Sequence, residues 1–375
     1  MSFNVFFTFI LLIYYSIFFY LKAQFDDRKD VNLSNFKTKS WGIEFKGKTG
    51  FLIGKRGEIA NLPKEHTYAS EISIVNYTNG SKKWHKGYNY PTIGGTLFAA
   101  SVGNKEILGN FYGTYAFIEF PLIKTLKYQF CTKLGSGLAY TAKVYDPVTD
   151  PKNAVISSHV NALICFGIKN KFIFGRNQMI LGLDLTHCSN AAYKVPNIGI
   201  NMPFISLGYG YRLNNYKIND TENSTLKSKK ILVGINSVYS VKEIFPTGQG
   251  HLPIFGLSLF TRSFVSPKVG WEVSLDAISK QVISRYKTEI PKTQKDFIQV
   301  GIYGGYIMPL DHFHFVLGMG VNVIDKFQPE ARFYHRIGMR YYLNNGLSIN
   351  AVLRSNWAKA DFAEWGIGYT FNYKK

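Results

Sequence analysis

The chain has 375 residues, of which 46% are hydrophobic and 16% aromatic, and it carries a formal net charge of +20. Three cysteines, Cys131, Cys165 and Cys188, are too few and too odd in number for a disulfide scaffold, so each reads as a small packing residue in a strand-like run. The basic residues are scattered and no aromatic stacking module accompanies them, which argues against nucleic acid as a partner and leaves phosphate-bearing lipid headgroups as the acidic match.

In chain order, Phe3 to Leu21 is almost wholly apolar and is followed by Lys22-Ala23-Gln24. This pattern predicts a signal peptide over residues 1–23, cut after Ala23, although the run is also long enough for a membrane helix. Residues 24–40 are polar and charged and read as an N-terminal arm. From Trp41 onward, segments of about ten residues with alternating polarity recur between Gly, Asn, Asp, Lys and Pro clusters, the pattern of an outer-membrane barrel.

Clear examples are Tyr68 to Tyr77, Tyr115 to Ile123, Tyr128 to Lys143, Val160 to Lys169, Met179 to Thr186 and Pro203 to Leu213. The series continues from Ile231 to Val241 through Leu252 to Phe264, Val269 to Ile278, Val300 to Met308, Phe313 to Ile324, Phe333 to Leu343, Leu347 to Trp357 and Phe362 to Tyr373. The expectation is an all-β, antiparallel transmembrane β-barrel of roughly 12–16 strands, forming one domain over residues 41–375. The 34 glycines and the aromatic share suit strand packing and interfacial girdles. A soluble sandwich or lipocalin-like barrel is the alternative architecture. Residues 144–156, 214–230 and 280–295 read as long loops, because the strand pattern resumes on either side. Tyr369, Phe371 and Tyr373 alternate up to the C-terminus, as in the last strand of outer-membrane barrels.

The stretch Asp184-Leu185-Thr186-His187-Cys188-Ser189-Asn190 carries the chemistry. Strand alternation puts His187 and Ser189 on the face of Leu181, Leu183 and Leu185, and Asp184 and Thr186 on the other. A serine hydroxyl becomes nucleophilic when a base within hydrogen-bond reach takes its proton, and residues i and i+2 of a strand meet that need. If the apolar face contacts lipid, the pair attacks a membrane lipid.

His187-Cys188-Ser189-Asn190-Ala191-Ala192 followed by Pro196-Asn197-Ile198-Gly199-Ile200-Asn201 resembles the signature of the lipid A 3-O-deacylase (PagL) family. Gly135 to Tyr140, Ser157 to Asn161 and the closing segment Trp357 to Phe371 resemble its longer outer-membrane relatives, the acyloxyacyl hydrolases. The resemblance implies an outer-membrane serine esterase that removes an ester-linked acyl chain from lipid A or a related lipid, with Ser189 as nucleophile and His187 as base. The family's glutamate, twelve positions after the serine, is Asn201 here. Asn201 shares the apolar face with His187 and can accept the imidazole proton, as asparagine does in papain-like sites, but it cannot offset the imidazolium charge.

Candidate donors to an oxyanion are the backbone amide near Ala192 and the side chain of Asn190 or Asn197. No cofactor or metal is expected: His312 and His314, beside Asp311, lack a third ligand at recognisable spacing and read as a solvated turn. Against the esterase stands a non-enzymatic outer-membrane barrel, a channel or a binding or structural protein, which the loss of the acid at Asn201 favours. The expected partner is a membrane lipid, the expected location the bacterial outer membrane, and the sequence fixes no oligomeric state.

Overall fold

The computed structural model describes residues 40–54, 59–215, 218, 230–357 and 359–371. The expected signal peptide and almost all of the polar arm lie outside these residues. Among the described residues the regular structure is antiparallel strand, apart from one five-residue helix, α1 (Lys83–Gly87), and two short 3-10 turns, Gln281–Arg285 and Gln294–Phe297.

Among the described residues there are sixteen strands, and they form two closed barrels of eight. The first contains β1 (Ser40–Gly50), β2 (Thr67–Tyr77), β3 (Thr92–Ser101), β4 (Asn110–Lys124), β5 (Tyr128–Thr141), β6 (Val160–Phe174), β7 (Asn177–Ser189) and β8 (Ile200–Arg212). The second contains β9 (Leu232–Lys242), β10 (Leu252–Ser266), β11 (Val269–Lys280), β12 (Ile298–Leu310), β13 (Phe313–Ile324), β14 (Phe333–Tyr342), β15 (Leu347–Asn356) and β16 (Lys359–Thr370). Strands of this length satisfy the roughly 9–11 residues that a tilted strand needs to cross a bilayer.

The strand count lies within the expected range, but the partition differs from the single barrel expected. β8 pairs back onto β1, with Gly42 opposite Arg212 and Gly50 opposite Phe204, so the first sheet has no free edge for β9 to extend. β16 closes the second sheet on β9 through pairs such as Trp365 with Tyr239 and Tyr369 with Ile235. Alternation within a strand is the same in a barrel of eight or sixteen; only long-range pairing decides closure. β1 and β3 lie outside the clearest sequence segments, β3 because Gly94 and Gly95 interrupt its alternation.

The inward residues account for the small barrels. An eight-stranded barrel is just wide enough to be filled by side chains, and here the filling is polar and charge-paired. In the first barrel Glu71 receives Lys46 at 2.6 Å, Lys48 at 2.5 Å and the Tyr115 hydroxyl at 2.5 Å, while Lys169 and Lys171 bind Glu44 and Glu119. In the second, Arg336 bridges Asp276 and Glu364, Arg340 binds Glu272, and Lys242 and Lys280 bind Asp361. The outward positions are apolar instead: Leu97, Ile205, Leu207, Leu257, Leu275 and Ile367 are exposed. A polar interior inside an apolar exterior is the inverse of a water-soluble fold and matches a transmembrane barrel. The three cysteines point inward and are buried and free. No helix among the described residues is long and apolar enough to cross a membrane.

Both barrels have a long-loop end and a short-turn end. In the first, residues 51–54 and 59–66 and the connections at 102–109, 142–159 and 190–199 share one end with the close of β7. At the opposite end, α1 reaches the second barrel's turns, where Lys82 pairs with Asp311 at 2.5 Å and the Tyr88 hydroxyl donates to the carbonyls of Lys268 and Pro309.

Candidate active site

β7 presents Leu181, Leu183 and Leu185 outward, with Leu183 53% exposed, and turns Asp184 and Thr186 into the barrel. His187 and Ser189 continue the outward face, as the alternation predicts, and Cys188 between them points inward. The β7–β8 register sets Asn201 directly opposite His187, so the three side chains meet across one strand pair.

The Asn201 Oδ1 accepts from His187 Nδ1 at 2.9 Å, and His187 Nε2 lies 2.8 Å from Ser189 Oγ. When Nδ1 carries the hydrogen donated to Asn201, Nε2 has the lone pair that accepts from the serine hydroxyl. This is the geometry of a nucleophile, a base and a residue that orients the base. Ser189 is only 7% exposed, which shields the pair from bulk water.

Gly199 explains why the ring and the hydroxyl fit together. Its φ of +80° is left-handed, and a Cβ there would stand 3.0 Å from His187 Cε1 and 3.3 Å from Ser189 Cβ. The loop before it has two consecutive left-handed alanines, Ala191 at φ 56° and Ala192 at φ 62°. Each costs about 1–2 kcal/mol over the right-handed form, so the surroundings must impose the shape.

The asparagines that sequence left unranked occupy different places. Asn190 braces the loop: its backbone N–H donates to Asn197 Oδ1 at 3.1 Å, and its Nδ2 reaches Ser157 Oγ, Ser158 Oγ and the Lys194 carbonyl at 3.0–3.2 Å. Asn197 accepts through its oxygen and keeps its amide hydrogens outside that bond. In the sequence Ser157 and Ser158 carry only a flanking resemblance; their role as supports follows from the packing of the 142–159 loop, where the Gly199 N–H donates to the Val155 carbonyl at 3.1 Å.

Beside the site, Leu185 opposes Pro203 and Leu183 opposes Ile205 on the same outer face. With Phe166, Ile168 and Phe51 they border a shallow depression of about 750 Å³. It begins two residue pairs from His187 and Asn201 and is walled mainly by carbon.

Of the paired histidines of the second barrel, His314 differs from expectation. His312 lies at the β12–β13 turn, where Nδ1 bonds the Tyr342 carbonyl at 2.8 Å. His314 is not in a solvated turn: it is the second residue of β13, and alternation carries it into the barrel against the Tyr342 ring. Neither belongs to a group of three potential metal ligands among the described residues.

Polar-filled barrels with apolar walls define a membrane β-barrel, and one of those walls carries a hydrogen-bonded serine, histidine and asparagine. The chain belongs to the lipid A deacylase family: a model described as "Lipid A 3-O-deacylase (PagL)" matches residues 73–212, and one described as "Acyloxyacyl hydrolase, C-terminal domain" matches residues 229–373. The first match falls on the barrel that carries the relay and the second spans the other barrel. Family and fold together make this an outer-membrane, acyl-removing hydrolase.

No curated protein matches the chain. Among solved structures, engineered variants of the Rhodopseudomonas blastica porin align over 89% of this chain and 100% of theirs, at 9% identity and a TM-score of 0.17. A structure titled "Asymmetric conductivity of engineered proteins" gives the same figures. Likeness at that score carries no argument about this fold or its function.

Proposed function

We propose that the protein hydrolyses an ester-linked acyl chain of lipid A or a closely related membrane lipid, with Ser189 as nucleophile, His187 as general base and Asn201 orienting the base. The observation that carries the reading is the unbroken hydrogen-bond relay from Asn201 through His187 to Ser189 on the apolar face of β7 and β8. In the first half-reaction Ser189 Oγ attacks the ester carbonyl carbon while His187 Nε2 takes its proton. The tetrahedral oxyanion collapses, the sugar alkoxide leaves with the proton from Nε2, and the acyl group stays on Ser189. In the second, water gives its proton to Nε2 and attacks the acyl-serine, which releases the fatty acid and restores the hydroxyl.

The N–H groups of Ala191 and Ala192 and the Asn197 amide are the donors best suited to the oxyanion, since Asn190 is occupied in bracing the loop. The carbon-walled depression beside Leu185 and Pro203 suits the acyl chain. Residues 1–23 act as a cleaved signal peptide, and the long-loop end carrying Ser189 lies toward the outer leaflet, as long loops do in such barrels. Asn201 also favours a second reading, a barrel that keeps the fold and serves as a channel or a binding or structural protein without full catalytic competence.

Mass spectrometry of lipid extracted from cells making the wild-type protein or Ser189→Ala separates the two. The esterase predicts lipid A lighter by one acyl chain with the wild type only. The same lipid masses in both strains would reject it.

A further inference from the structure

The loop that carries the left-handed alanines is held from the second barrel. Glu243, the first residue after β9, is 2% exposed and directs its carboxylate to two backbone amides. Oε2 accepts from Val195 N at 2.9 Å, in the site loop, and Oε1 accepts from Gly248 N at 2.8 Å, in its own loop. Its backbone N–H donates to the Ala192 carbonyl at 3.4 Å. Beside it the Tyr193 and His251 rings stack with centroids 4.2 Å apart. Arg285 stiffens this loop from below by donating to the carbonyls of Gly250 and Gln249 at 2.9 and 2.6 Å.

A carboxylate accepting from backbone N–H makes bonds about twice as strong as neutral ones. No ion pair engages Glu243 among the described residues, and its carboxylate is held by backbone amides. Ala192 and Val195, the two anchored residues, lie in the loop whose Ala191 and Ala192 amides would face a carbonyl on Ser189. The strained φ values of Ala191 and Ala192 need an outside restraint, and these contacts supply it from a different barrel.

We propose that Glu243 is a positioning residue for the Ser189 site, and that the second barrel completes the first by fixing the Ala191–Val195 loop in its reactive conformation. This rests on the esterase reading above. Glu243→Ala removes both acceptors, whereas Glu243→Gln keeps one and turns an NH2 toward the other amide. Asp311→Asn serves as control, because it weakens the clasp at the opposite end and asparagine tolerates the left-handed φ of 64° found there.

The test uses the full chain folded in lipid vesicles, with kcat and KM for acyl release and hydrogen–deuterium exchange across 190–197. The expected result is a kcat lowered about tenfold or more in Glu243→Ala, less in Glu243→Gln, with KM within about twofold, as for loss of oriented oxyanion donors. Exchange across 190–197 should quicken in the same order, and Asp311→Asn should match the wild type in both. Wild-type kcat in Glu243→Ala, a change confined to KM, or unchanged exchange would overturn the proposal. If Ser189→Ala kept wild-type activity, or the wild type had none, the esterase reading itself would fail; exchange would still report whether Glu243 holds the loop.

Discussion

His187 on β7 and Asn201 on β8 face each other across a registered strand pair, 2.9 Å apart from Nδ1 to Oδ1. The contact fixes the imidazole tautomer without placing a negative charge beside it. An amide oxygen orients the base but gives an imidazolium weaker stabilisation than a carboxylate.

Asn201→Asp therefore raises kcat by about tenfold or more, and Asn201→Leu lowers it by about 10–100-fold, given that an acid-to-amide change in serine proteases costs about 10⁴. Acyl-release kinetics in vesicles decide the matter. An aspartate variant slower than the wild type would mean that burial of the charge outweighs its help to the imidazolium.

Gly199→Ala combines a left-handed φ with a Cβ pressed on the His187 ring. The ring must move away from Ser189, so acyl release falls at least about tenfold while the barrel stays folded, as a small misplacement of reacting groups costs up to about 10²-fold. Activity at the wild-type level in a folded Gly199→Ala protein would contradict this packing.

The outer faces must contact hydrocarbon. Leu183→Arg places a charge on that surface and destabilises the folded, inserted state by about 2–4 kcal/mol if its depth is near the bilayer midplane. Urea titration of folding into vesicles measures it, and an unchanged midpoint would argue that this wall does not face lipid.

Glu71 balances three lysines inside the first barrel, Lys46, Lys48 and Lys133. Glu71→Gln leaves these cations facing one another and costs about 3–5 kcal/mol, the range for breaking a buried pair from one side. A urea midpoint equal to the wild type would show that water enters this interior freely.

Much of this was legible in the chain because a strand repeats every two residues. Leu181 to Leu185 named the lipid face and the same count carried His187 and Ser189 onto it, while Asn201 came from the resemblance to the family, which sets its acid twelve positions after the serine. Closure was not legible, because β8 can pair with β1 or β9 without altering any local alternation, and the decision lies between residues as distant as Gly42 and Arg212. A sequence hint did exist: large inward cations matched by nearly as many acids, as in Lys169 with Glu119 and Arg336 with Asp276, suit a filled small barrel better than an open channel.

The sequence by itself determined the strand faces and the placing of His187 and Ser189 on one of them, since both depend on neighbours a few positions apart. Tertiary structure alone decided which asparagine braces the loop, that His314 turns inward beside Tyr342, and that Glu243 reaches Val195 from another barrel. Those outcomes depend on contacts between segments distant in the chain, whose geometry is set by closing and packing whole sheets and leaves no periodic trace in the order of residues.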